Sequence, residues 1–267
     1  MEKRAVELPT VREVIRLASN MYRQGWDERN GGNISVIIDP EEYQGYLPEE
    51  PKKVFPLAFD ATPLIGKVFV VTGTGKYLKN IEYSPETNLG IVRIGKDGHS
   101  AELLWGFEDG GRPTSEFPTH MMSHIVRLKK DPKHHVVIHC HATHALALTY
   151  VMPEDEDEIT RTLWRMSTEC IVVFPEGVGY LPWMLCGGNA IGEATAKKAE
   201  NYRIVLWGMH GIFGMGETID EAFGLIETVE KASTIYFLTQ GHVRQNITND
   251  DLICLANAFH VNYKKIL

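Results

Sequence analysis

The sequence is poor in cysteine, poor in positive charge and free of long apolar runs, and each shortage excludes something. Four cysteines occur in 267 residues, at 140, 170, 186 and 254, and no two form a CxxC pair. That spacing fits reduced thiols and not a disulfide framework, and it leaves no grouped thiolates for a structural zinc site. Lysine and arginine number 27 against 35 acidic residues, a net charge of −8, which argues against nucleic acid as the main partner. No apolar stretch approaches the roughly 18–20 residues of a membrane span, and the opening MEKRAVELPT has no signal-peptide core. The expectation is a cytoplasmic protein with neither a membrane nor a nucleic-acid partner. The clearest charge run, Glu154 to Glu158, reads as a solvated loop or helix start.

No repeat, low-complexity tract or linker divides the chain, and helical and strand-like segments alternate, so a single α/β domain over 1–267 is expected. Thr10 and Glu13 suggest a capping box opening a helix, with Val11, Val14, Ile15, Ala18 and Met21 at helical spacing up to Gly25. Strands are expected at 34–38, 68–71, 90–94, 101–105, 136–141, 170–174 and 203–207. Further helices are expected from Pro113 to about Lys129, capped by Thr114 or Ser115, then from Thr143 and near 157–166, 190–200, 218–239 and 248–258. The stretch 39–63 holds five prolines and reads as a long surface excursion.

The chemistry concentrates in Ile138-His139-Cys140-His141-Ala142-Thr143-His144. On a strand, His139 and His141 share one face roughly 6.6 Å apart, while Cys140 turns to the other. Two imidazoles do not make a site. His210, between Gly208-Met209 and Gly211 at the end of an apolar strand, is the candidate third ligand. A three-histidine set is the donor pattern of an open, catalytic zinc site, although core packing explains each histidine equally well when taken alone. Glu116 is a candidate acid or base, or simply an anion stabilising a helix start; Glu169, before an apolar run, is as ambiguous. Three segments could bind an anion: Asn30-Gly31-Gly32-Asn33, Thr74-Gly75 and Thr114-Ser115. Thr74-Gly75-Lys76 is not a Walker A loop, since Val70 and Tyr77 stand where that motif needs Gly and Ser or Thr. Nor does Gly211-Ile212-Phe213-Gly214-Met215-Gly216 follow the dinucleotide fingerprint, whose glycine order it reverses.

These segments resemble, in order and over most of the chain, the class II aldolase family of sugar-phosphate enzymes. The matching blocks are GWDERNGGN (25–33), VTGTGK (71–76), NLGIV (88–92), PTSEFPTH (113–120), HCHAT (139–143), STECIVVFPEGVG (167–179) and HGIFG (210–214). The resemblance implies a central, largely antiparallel sheet flanked by helices, and one Zn²⁺ per subunit on His139, His141 and His210. It implies that Glu116 is the catalytic glutamate, able to ligate the metal in the empty enzyme. It puts the substrate phosphate at Asn30, Gly32, Asn33, Thr74, Gly75, Thr114 and Ser115, with Thr74 standing where serine is expected. It further implies a homotetramer, with Glu169 acting across a subunit boundary. The NGGN turn and the STEC block resemble the rhamnulose branch, which implies reversible aldol cleavage of L-rhamnulose 1-phosphate to dihydroxyacetone phosphate and L-lactaldehyde. The same framework also serves fuculose-phosphate aldolases, ribulose-phosphate epimerases and adducin-like structural modules; the last would be expected to lose the histidines or Glu116, which this chain keeps.

Overall fold

The computed structural model describes residues 4–267, and the first three residues of the expected 1–267 domain lie outside the described residues. Pro9 opens α1 (Pro9–Gln24) at a position where its missing N–H is not needed. Val11, Val14, Leu17, Ala18 and Met21 form the buried stripe, and Gly25 ends the helix in the left-handed conformation at φ 73°. The expected capping box is absent. Thr10 instead gives its backbone N–H and hydroxyl to Glu42 at 2.8 and 2.7 Å, which ties the helix start to a neighbouring segment.

The chain continues through β1 (Asn33–Ile38), α2 (Pro40–Tyr43), β2 (Lys53–Pro56), β3 (Val68–Thr72), α3 (Pro85–Asn88), β4 (Leu89–Ile94) and β5 (Ser100–Gly106). It then forms α4 (Phe117–Lys130), β6 (Val136–Cys140), α5 (Thr143–Val151), α6 (Glu156–Trp164), α7 (Thr168–Val173) and β7 (Gly179–Leu181). Last come α8 (Asn189–Ala199), β8 (Ile204–Trp207), β9 (Gly211–Gly216), α9 (Ile219–Thr239) and α10 (Asn249–Ala258). Among the described residues the strands make one nine-stranded sheet in the order β2-β5-β4-β3-β1-β6-β9-β8-β7. Every adjacent pair is antiparallel except β7–β8, the largely antiparallel α/β architecture that was expected.

Both faces of the central strands are covered, which is why β1 and β6 are buried throughout. Val136, Ile138 and Cys140 join the core that includes residues of α1, α5 and α9. Val137 points the other way, into a cluster with Val205, Trp207, Phe213 and Ile191 of α8. Phe69, Val92, Phe117 and Met121 fill a third cluster beside α4.

Two further expectations fail for physical reasons, and one strand was not expected at all. Residues 170–174, rich in β-branched side chains, are mostly helical: α7 buries Cys170 and Ile171, and packing overrides local propensity. The proline-rich excursion contains β2, an edge strand paired with β5 and ending at Pro56; an edge position tolerates proline. The glycines of β9 concealed a fully buried strand between β6 and β8.

Candidate metal and carboxylate site

β3 and β6 end, and β1 and β9 begin, at the same end of the sheet, because the intervening pairs are antiparallel. There the histidines converge. His139 pairs with Asn33 on one side and Phe213 on the other, and its ring stacks on Phe213 with centroids 4.4 Å apart. Its Nδ1–H donates to the Ile212 carbonyl at 3.1 Å, leaving the lone pair on Nε2. That nitrogen is buried without a hydrogen-bond partner, in a residue only 1% exposed. A buried polar atom left unpaired is costly, and a cation would satisfy it.

His141 falls just beyond β6, not on the strand as expected, and its backbone N–H donates to the Trp26 carbonyl at 2.7 Å. Its Nδ1 lies 2.8 Å from Glu28 Oε1, a carboxylate–imidazole pairing that sets the tautomer and leaves Nε2 free for a ligand. Two glycines make room for the rings. A Cβ on Gly31 would sit 2.8 Å from His141 Cε1, and one on Gly211 would sit 2.8 Å from His139 Cε1.

His210 occupies the turn between β8 and β9. The preceding Met209 adopts φ 59°, a left-handed conformation that non-glycine residues seldom take, and its N–H is held by Thr149 Oγ1 at 2.8 Å. One ligand atom from each of His139, His141 and His210 lies within 4.8 Å of the others. Burial pushes His139 well below the usual imidazole range, and the neighbouring His141 and His210 push the same way. Burial, then His141, brings His210 down to about 4. Neutral imidazoles with free lone pairs are the form a metal ion takes up, so His139 and His210 fit the expected cofactor, and His141 adds a nitrogen within reach of both.

Glu116 is the N-cap of α4, at φ −92°, and not a first-turn residue behind a Thr114 or Ser115 cap. Thr114 Oγ1 accepts the Glu116 N–H at 3.3 Å. The carboxylate turns inward, with Oε2 3.7 Å from His139 Nε2 and Oε1 3.9 Å from His210 Nε2. Asn33 Nδ2 donates to Oε2 at 2.8 Å. Burial raises the Glu116 pKa, while the Asn33 hydrogen bond and His141 pull it down.

The three anion segments adjoin this centre. Gly73 and Pro113 form a β-bridge, Thr74 N–H donates to Arg112 and Thr114 N–H to Thr72, and Ile34 N–H donates to Thr72 Oγ1 at 3.1 Å. Gly75 takes φ 69°, and Asn30, Gly75 and Ser115 are exposed. Asn33, expected among the phosphate residues, is buried with its amide committed to Glu116 and His120. Glu169 lies apart: it is exposed on α7, and among the described residues no hydrogen bond or ion pair joins it to the histidines. His144 lies in the first turn of α5, with Nδ1 2.7 Å from Glu230.

Two residues escaped the sequence reading. Glu28 sits inside the GWDERNGGN block, but nothing in its spacing ties it to His141. Cys186, on the exposed loop before α8, has its sulfur within 4.8 Å of a Glu116 oxygen and a His210 nitrogen; its distance in sequence from both left no signal.

Fold and site together define a protein with a candidate mononuclear metal centre, three histidines beside a buried carboxylate. The chain belongs to the class II aldolase and adducin N-terminal domain family, whose pattern matches residues 12–237. A rhamnulose-1-phosphate aldolase of Listeria monocytogenes serotype 4a is 50% identical over 267 residues, covering 99% of this chain and 98% of its own. Another, from Enterococcus faecalis, is 52% identical over 262 residues, covering 97% and 94%. The crystal structure of a sugar-phosphate aldolase from Thermotoga maritima aligns at a TM-score of 0.75 and 29% identity, over 88% of this chain and 97% of that one.

Proposed function

We propose that this chain catalyses the reversible aldol cleavage of L-rhamnulose 1-phosphate to dihydroxyacetone phosphate and L-lactaldehyde. The observation that carries the reading is the orphaned Nε2 of His139, converging with His141, His210 and the Glu116 carboxylate. The relatives at about half identity support the choice of substrate.

His139, His141 and His210 would hold one Zn²⁺, an ion whose open catalytic sites can use three histidines. When bound, the ion supplies Lewis acidity toward the ketose carbonyl. Glu116 moves the carbon-bound proton. In condensation its carboxylate takes a C3 hydrogen of dihydroxyacetone phosphate, the C3–C4 bond forms and a proton delivered at the aldehyde end makes the C4 hydroxyl. In cleavage the C4 hydroxyl gives up that proton, the C3–C4 bond breaks and the Glu116 carboxylic acid protonates C3. Burial strengthens Glu116 as a base, and the Asn33 amide holds it in place. Asn30, Gly32, Thr74, Gly75, Thr114 and Ser115 offer hydroxyl, amide and backbone N–H donors to the phosphate, turning binding energy at the unreactive end into orientation at the reacting one. Glu169 acts at the aldehyde end from a neighbouring subunit of a homotetramer, in keeping with its exposure on α7. The setting is the cytoplasm; among the described residues no helix is long and apolar enough to cross a membrane.

The test is release of dihydroxyacetone phosphate from L-rhamnulose 1-phosphate by metal-loaded protein, with and without chelator. Chelator-sensitive release that outpaces release from L-fuculose 1-phosphate is expected. No release from folded, metal-replete protein would discard the proposal.

A further inference from the structure

Behind Glu116 and Asn33 lies a buried line of polar side chains, His120, Ser35 and His124, that the proposed chemistry does not use. Glu116, His120 and His124 recur every four residues from the N-cap along α4, so they share a face. Asn33 and Ser35 alternate on one face of β1. The two faces interleave. Asn33 bonds Glu116 at 2.8 Å through Nδ2 and contacts His120 Nε2 through Oδ1. Ser35 Oγ lies 2.7 Å from His120 Nδ1 and 2.8 Å from His124 Nε2. All five side chains are buried.

Hydrogen-bond polarity along such a line is all or nothing. If Nδ2 of Asn33 donates to the Glu116 carboxylate, its Oδ1 must accept, so His120 carries its proton on Nε2. His120 Nδ1 then accepts the Ser35 hydroxyl, and Ser35 Oγ accepts from His124 Nε2–H. The line ends at His124 Nδ1, which is buried without a partner and in this polarity is a bare lone pair and not a stranded N–H. Reversing the line would flip the Asn33 amide, turn its carbonyl oxygen against the Glu116 carboxylate, and strand an N–H on His124. An amide is nearly symmetric in shape, so packing alone does not choose between the two orientations. The Glu116 carboxylate and the His120 tautomer choose together, and the tautomer must agree for the line to be satisfied. Burial drives His120 down to about 3, which keeps it neutral and limits it to one donor.

We infer that His120 is a positioning residue: through Ser35 and His124 it fixes the Asn33 amide so that Glu116 always meets an N–H donor. The inference rests on the reading of Glu116 as the proton-transfer group. No part of the line touches substrate, and its effect is on the orientation of the Glu116 carboxylate.

Nitrogen-15 NMR of histidine-labelled wild-type protein, with His120→Gln identifying the signal, should show His120 protonated on Nε2 and bare on Nδ1; the opposite tautomer overturns the inference. In kinetics, His120→Leu should lower kcat roughly 10–100-fold, the range for groups that orient a functional residue, with KM and bound metal near wild type. His120→Gln, whose amide N–H can still donate to Asn33, should recover most of that loss. A kcat for metal-replete His120→Leu within about twofold of wild type, or a His120→Gln no better than His120→Leu, reduces His120 to packing. If His120→Leu does not fold, the tautomer decides alone. Absence of cleavage by the wild-type enzyme would instead sink the assigned reaction and leave the tautomer result standing.

Discussion

Glu116 stands between two sets of histidines that differ in where their ring nitrogens lead, and in the first set only His139 is fully buried. His139 on one side and His120 and His124 on the other are all interior, at 1%, 0% and 0% exposure. Each set also has a spacing that suits a metal pair: HxH at the end of a strand, and HxxxH along a helix. The difference lies in where the ring nitrogens go. His120 has both nitrogens partnered, and His124 spends Nε2 on Ser35. The nitrogen left over, His124 Nδ1, belongs to no group of converging donors among the described residues, and the His124 ring packs on Phe69 with centroids 5.1 Å apart. The left-over nitrogen of His139 points at two more imidazoles and a carboxylate. An orphaned nitrogen indicates a ligand site only where other donors share its target.

Removing a converging donor should have the largest effect. His210→Asn is expected to weaken metal binding by more than the roughly 10–100-fold that loss of an outer partner causes, so that dialysed protein keeps little metal and little activity. Full metal content in that variant would move the centre elsewhere. Glu116→Gln should separate binding from chemistry: it keeps the metal and the fold but loses about 10²- to 10⁴-fold in turnover, the usual worth of a positioned acid or base. Near-normal turnover would remove Glu116 from the reaction. A smaller effect is expected one step out, at Glu28. Its side chain is 69% exposed, so Glu28→Gln should sit near the low end, about tenfold in metal affinity, with turnover at saturating metal unchanged. Unaltered affinity would show that the contact with His141 does no orienting.

How much of this could be read in the sequence follows from the range of each interaction. The placing of His139 and Cys140 was legible because a strand's alternation is strictly local, and Cys140 does join the core that was expected to receive it. His141, by contrast, lies one residue past the strand and is held by Trp26 and Glu28. His210 was legible through its glycine-flanked position after an apolar strand. The Thr10 cap, the strand at 170–174 and the blank stretch containing β2 failed because Glu42, the packing of α7 and the β5 edge decide them from far along the chain. The same holds within the site. Glu28, Cys186 and the Asn33–His120 contact join residues whose separation in sequence carries no pattern, and only the order of strands brings them together. Glu116 was expected in the first turn of α4 and lies at its N-cap, because the helix starts one or two residues later than its Thr114 or Ser115 cap signal suggests.

The last expectation is the smallest in metal terms. His124→Leu should leave stoichiometry at one ion per chain and affinity unchanged, because no second set of free nitrogens exists at that position. Its cost should fall on stability instead. Ser35 Oγ would lose the donor that His124 Nε2 provides at 2.8 Å, and a buried group deprived of its partner costs about 1–3 kcal/mol. Because His120 keeps its own contact with Asn33, turnover should fall less than in His120→Leu. Metal titration of the two proteins, read beside their denaturant midpoints, separates the cases. A drop from two ions to one would mean that the helix pair is a second metal site and that the contrast between the two sets of histidines is false. Equal stoichiometry with a lowered midpoint would mean that on this side of Glu116 histidine is used for its directional hydrogen bonds alone.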